Sequence, residues 1–220
     1  MFFQRFLRMK KILLLVRNKK QKLNKNKTKK KICVVGVSPN VGVTHLSLAL
    51  ANFIHSVLGK KVIYIELSEN SQLLSVVGMK QVMVGNLLAY EYKGVKYILS
   101  NDINAIRNLM LTENAWFIVD IANLNEETQT IFTNCNNRIV IGSLSPWCQR
   151  EYYEFIDNIG MLDYDTSQIT YVNIDMNKKT KKRVSNFNSY IKSTVQKMPI
   201  INDPFSLEED NFMELMNLVR

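Results

Sequence analysis

The stretch "ICVVGVSPNVGVTHLSLALANFI", residues 32–54, decides the fold. Ile32–Val35 is an apolar, β-branched run of the kind that forms a strand buried on both faces. Gly36 and Gly42 bracket a short loop, and from Thr44 onward the apolar residues recur at helical spacing. Strand, glycine loop and helix start bring backbone N–H groups and the positive end of a helix to one place, where an anion binds well. A phosphate-binding loop reads G-x-x-x-x-G-K-[ST], with a lysine before the hydroxyl. Here Val43 takes the place of that lysine, and Thr44 keeps the hydroxyl.

Outward from this stretch, short Val/Ile-rich runs alternate with helical patterns. Strands are expected at Ile32–Val35, Val62–Glu66, Val95–Leu99, Trp116–Asp120, Arg138–Ile141 and Ile169–Asn173. Helices are expected at Thr44–Leu58, Asn101–Leu111, Asn125–Asn134 and Pro146–Ile159. A last helix is expected over Ser206–Val219, opened by Ser-Leu-Glu-Glu as a capping box. Gly59 suits a left-handed cap after the first helix. Apolar strands separated by helices predict an α/β fold, a doubly wound and mostly parallel sheet with helices on both faces.

Charge divides the chain in two. Residues 1–31 carry 13 Lys/Arg and no acid, which leaves 16 basic against 19 acidic residues in 32–220. The basic character therefore belongs to a tail, and the body offers weak grounds for nucleic-acid binding as a whole. Within the tail, Phe2, Phe3, Phe6, Leu7 and Met9 lie among Arg5, Arg8, Lys10 and Lys11, and a low-complexity basic run follows to Lys31. Such a segment reads either as a solvated tail, with Met9 as an alternative start, or as an amphipathic anchor on an anionic membrane. The division predicts a tail at 1–31 and one α/β domain at 32–220. No apolar run approaches the roughly 18–20 residues of a membrane span, and Ile12–Val16 is followed by no small-residue cleavage site. Cys33, Cys135 and Cys148 form no C-x-x-C pair, and His45 and His55 are the only imidazoles. That inventory gives no zinc-ligand spacing and suits reduced thiols in a cytoplasmic protein.

The segments Val37–Ile54 and "KKVIYIELSEN" (Lys60–Asn70) resemble the deviant Walker-type P-loop ATPases of the MinD/ParA group. They are most similar to its atypical CpaE/TadZ-like members, which localise pilus and secretion machinery. The resemblance runs from about Ile32 to Phe205. Against G-K-G-G-x-G-K-[ST], Val37 matches the first glycine, Ser38 the signature lysine, and Pro39 and Asn40 the paired glycines. Gly42 is retained, Val43 replaces the phosphate lysine, and Thr44 keeps the magnesium-ligating hydroxyl. Pro39 removes a donor from the cradle, while Asn40 is the non-glycine residue best suited to a left-handed turn. The D-x-D ending the second strand has become Glu66-Leu67-Ser68. Asp120, closing "WFIVD", matches the Walker B carboxylate, and Asn173 matches a position that often faces the adenine.

The resemblance implies ATP or ADP with magnesium as cofactor. The contacting residues would be Ser38, Asn40, Gly42, Val43, Thr44, His45, Asp120 and Asn173, with Thr44 and Asp120 on the metal. A charge-assisted hydrogen bond is worth roughly 1.5–3 kcal/mol, so loss of the lysine at 43 weakens such binding on the order of 10–150-fold. The missing charges at 38 and 68 remove transition-state stabilisation as well. The expectation is a degenerate ATPase site with no catalytic residues. Such a protein would scaffold or position a pilus, secretion or transfer machine, in the cytoplasm and peripheral to the inner face of the membrane. Two alternatives stay open: an active ATPase with a lysine supplied by a partner chain, and a DNA-binding partition factor using the tail and Asn177–Arg183. Each residue also has a plain structural role available. Gly42 can make a tight turn, Thr44 cap a helix, His45 sit as an ordinary helix residue, and Asp120 cap the turn after its strand. Glu66 can accept N–H bonds from the loop. Trp147, Tyr152 and Tyr153 can meet a partner or a nucleotide base, or pack in the core.

Overall fold

The computed structural model describes residues 30–67, 71–161, 168–175 and 180–219. Strand β1 (Lys31–Gly36) leads through the loop into helix α1 (Val43–Ser56), and β2 (Val62–Glu66) follows. A one-turn helix α2 (Leu74–Val77) precedes two hairpins built from β3 (Gln81–Val84), β4 (Leu87–Tyr92) and β5 (Val95–Leu99). Then come α3 (Ile103–Thr112), β6 (Trp116–Ile121), α4 (Glu126–Thr133), β7 (Asn137–Gly142), α5 (Gln149–Gly160) and β8 (Ile169–Asn173). Helix α6 (Lys181–Ile191), the two-residue β9 (Gln196–Lys197) and α7 (Phe212–Leu218) complete the order.

The nine strands form one sheet in the order β3-β4-β5-β2-β6-β1-β7-β8-β9. All pairings are parallel except β3–β4 and β4–β5. Each central strand alternates between two cores. Ile32 and Val34 of β1, with Trp116 and Ile118 of β6, join α1 and α7 on one face. Cys33 and Val35, with Phe117 and Val119, join α3, α4, α5 and α6 on the other. That double burial explains why these strands read as unbroken apolar runs.

All six expected strands and the first four expected helices are present, with bounds shifted by up to three residues. Three strands and two helices are additional. The edge strands β3 and β4 are antiparallel and half-exposed, so their pattern is weaker. Helix α6 buries only Phe187 fully, with Val184 and Ile191 partly buried beside it in a largely polar stretch. The last helix begins later than expected. The Asp203 carboxylate accepts the Phe205 N–H at 2.8 Å and its carbonyl the Ser206 N–H at 3.1 Å, so Ser206 closes a turn instead of capping a helix. A 3-10 turn at Glu209–Asn211 then leads into α7. Among the described residues no helix is long and apolar enough to cross a membrane.

Candidate functional site

The sheet order reverses direction around β1, with β2 reached on one side and β7 on the other. Ligands in open α/β sheets bind beyond the strand C-termini at such a point. The loop Val37–Gly42 lies there. Its entry is fixed by the Val37 N–H donating to Ile141 O at 2.9 Å. Asn40 takes φ 61° and Gly42 φ 94°, the two left-handed positions that let the chain turn back into α1. Gly42 stands at the helix N-cap with no side-chain cap, and the first intrahelical bond runs from Leu46 N–H to Gly42 O at 3.0 Å. The N–H groups of Val43, Thr44 and His45 precede that bond, as in any uncapped first turn.

The interior of the loop is apolar. A Cβ placed on Gly36 would meet a Val41 methyl at 2.6 Å and a Val43 methyl at 2.9 Å, and one on Gly42 would meet the Met198 methyl at 3.2 Å. Val41 is buried, and Val43 and Met198 pack on the same core. Gly36 and Gly42 therefore have no room for a side chain, and the residues around them are apolar. No lysine or arginine occurs from Ile32 to Gly59 to offer a charge. Ser38 is half-buried, and Pro39 and Asn40 are exposed. His45 faces away from this interior: its Nε2 lies 2.8 Å from the Ile201 carbonyl and ties α1 to the C-terminal segment.

Beside the loop, β2 and β6 place Glu66 and Asp120 at matched register. Asp120 is 1% exposed. Its Oδ2 accepts the Tyr64 hydroxyl at 2.9 Å, while Oδ1 is buried with no hydrogen-bond partner. Burial pushes its carboxyl up to about 6, and the Glu66 charge adds to the rise. The Thr44 hydroxyl, beside the carboxylate but short of a full hydrogen bond to Oδ1, and the Tyr64 hydroxyl both act to lower it. Burial also raises the Glu66 carboxyl, opposed by the Ser71 hydroxyl donating to Oε2 at 2.6 Å. Glu66 thus anchors the chain after β2. Ser68 lies outside the described residues.

Asn173 ends β8, fully buried. Its Oδ1 accepts the Leu144 N–H at 2.8 Å and lies 3.3 Å from the Asp175 N, while Nδ2 has no acceptor. It braces the loop after β7, where Arg183 donates to Leu144 O at 2.7 Å. Of the nearby aromatics, Tyr152 is core, its hydroxyl 2.9 Å from Val172 O and 3.0 Å from Val140 O. Tyr153 packs on Phe187 and Tyr190, and Trp147 is 90% exposed. Among the described residues no three His, Cys, Asp or Glu side chains cluster as metal ligands.

The structure thus gathers Thr44 and Asp120 beside a loop built from Ser38, Asn40, Gly42 and Val43, with Asn173 on a strand two places away. The residues that reading from sequence missed are Val41 and Met198, which pack against the loop glycines, and Tyr64, which holds Asp120. A lone Asp120 oxygen beside a hydroxyl suits a magnesium ion. The uncharged loop, with valine at 43, would offer the accompanying phosphates only backbone N–H groups and the Thr44 hydroxyl.

No family model matches the chain, and no curated protein does. Solved structures match it across most of their length. MinD from Aquifex aeolicus shares 15% identity at a TM-score of 0.66, covering 86% of this chain and 94% of that one; a second structure holds it in complex with MinC. A plasmid partition protein from Borrelia burgdorferi bound to AMPPNP shares 13% identity at 0.64, covering 87% and 97%. A ParA family ATPase from Chlorobium tepidum shares 12% identity at 0.63, covering 87% and 90%. The chain has the α/β fold of the MinD/ParA P-loop ATPases.

Proposed function

We propose that this chain is a MinD/ParA-fold protein whose nucleotide site does not turn over, acting as a scaffold or positioning factor for a pilus, secretion or transfer machine. The carrying observation is the loop itself, with Val43 at the phosphate-lysine position, Ser38 at the signature-lysine position and no lysine or arginine from Ile32 to Gly59. Phosphoryl transfer depends almost entirely on positioning and on positive charge around the phosphates, and this loop offers only N–H dipoles. Residual binding of ATP or ADP with magnesium would rest on Thr44, Asp120 and the unpaired Asn173 Nδ2. The assignment to an appendage or transfer machine follows the CpaE/TadZ-like resemblance of the loop, and protein partners at the cytoplasmic membrane face are inferred with it.

Purified protein is expected to hydrolyse no ATP above background, with or without magnesium. Val43→Lys alone should not restore turnover, because Ser38 supplies no signature charge. A magnesium-dependent wild-type rate near one per second would overturn this reading in favour of an active ATPase. A second reading, a DNA-binding partition factor, draws on α6 and its surroundings. From Thr180 to Asn202 the chain has Lys181, Lys182, Arg183, Lys192 and Lys197 and no acid. Duplex binding that falls steeply with salt, and is lost on reversing those charges, would favour it.

A further inference from the structure

We propose that the free edge of the sheet at β3, together with the apolar patch beside it, is the contact through which two copies of this chain associate. Exposed edge strands are normally guarded by lysine, proline, a bulge or extreme shortness, because their unpaired backbone recruits other strands. The opposite edge obeys that rule: β9 has two residues and one of them is Lys197. At β3 the guard is missing. Gln81-Val82-Met83-Val84 contains no charge and no proline, and the adjoining Lys80 is held by Glu91 at 3.0 Å.

The side chains at this edge point the same way. Met83 pairs with Leu88 in the hairpin register, so both lie on one sheet face, the face on which Tyr90 and Tyr92 meet the α1-side core. Helix α2 sits on that face through Leu73 and Val77 and turns Leu74 and Val76 outward. Met79 is 96% exposed and Met83 62%. These five residues present on the order of 600 Å² of surface, the upper end for the largest apolar patch on a monomer. A standard interface needs about 800 Å² per partner, which the patch approaches and the paired strand edges would complete.

A second copy fits this surface because the surface matches itself. Among the described residues, β3 and the five apolar side chains carry no charge to repel a twin, and an antiparallel strand is its own complement under a two-fold axis. With the axis on Met83, Val82 of one copy faces Val84 of the other, and the two Met83 side chains meet between the two Leu88 side chains. Two nine-stranded sheets would then run on as one, with both loops on the outside of the contact and no nucleotide needed.

Light scattering of the full-length protein at rising micromolar concentration is expected to show a monomer–dimer equilibrium indifferent to ATP. Met83→Lys and Leu88→Lys, both at exposed positions, should each weaken it at least tenfold with unchanged circular dichroism. Met83→Cys should cross-link across the axis under a mild two-electron oxidant, forming one S–S bond with loss of two protons, whereas wild type should not. A wild-type protein that stays monomeric overturns the proposal, and the patch then belongs to a foreign partner. A dimer that ignores both lysine substitutions, or a Met83→Cys protein that never cross-links, overturns it equally.

Discussion

Asp120 is costly where it stands. A carboxyl at about 6 in the folded chain, against about 3.9 unfolded, binds its proton more tightly when folded. Its contribution to stability is therefore greatest below about pH 4 and is lost as pH rises through about 6, a change on the order of 3 kcal/mol. Asp120→Asn, which can still accept the Tyr64 hydroxyl, should raise the melting temperature at pH 7 and flatten the pH dependence between 4 and 7. The slope that remains should come from Glu66, which is raised in the same direction. Chemical denaturation across that range checks both points; an Asn variant less stable than wild type at pH 7 would show that further contacts favour the charged form. The retention of so unfavourable a group fits the habit of functional sites to hold strain. Its position could be read from the sequence, since Asp120 closes an apolar strand. Its environment could not: Tyr64 lies 56 residues away and Met198 over 150 from the loop, and neither leaves a local signal.

Elements were legible in proportion to their burial. The parallel strands announce themselves because both faces are covered, and α1 because nine of its fourteen residues are buried in sequence. The hairpins are quieter. Strand β3 has the burial pattern of an edge, and its turn signals, Gly85-Asn86 and Lys93-Gly94, stand alone between short half-polar runs. Those turns demand left-handed residues, with Gly85 at φ 58°, Lys93 at 46° and Gly94 at 79°. At Gly94 a second constraint applies, since an added Cβ would lie 2.2 Å from His55 Nε2. His55 in turn lies 3.1 Å from the Lys60 carbonyl through Nδ1, so the ring is not free to leave. Gly94→Ala should cost about 1–3 kcal/mol, seen as a lower urea midpoint with an unchanged slope.

At the scale of the whole molecule, residues 1–31 are basic and 32–220 carry a small acidic excess, and the two segments are expected to separate cleanly. Residues 1–29 lie outside the described residues. The first contacts of the body are Lys30, whose ammonium donates to Val219 O at 3.1 Å, and Lys31, which begins β1. Deletion of residues 2–29 is expected to leave the melting temperature nearly unchanged while abolishing sedimentation with anionic liposomes. Each basic residue near an anionic leaflet contributes on the order of 1 kcal/mol, and salt screens it. Full-length protein that ignores such liposomes at low salt would remove the membrane role; a deletion that unfolds the body would make the tail part of the fold.

The position of β1 in the interior of the sheet also sets a timetable for synthesis. Its first residue pairs with Phe117 on one side, and Ile32 pairs with Asn137 on the other. At ribosomal speeds of about 5–20 residues per second, the first of these partners is polymerised roughly 4–17 s after β1 itself. Through that interval the nascent chain carries Ile32–Val35 with neither neighbour in place. Among the described residues, the earliest-made strand is thus the one that waits longest for its first partner.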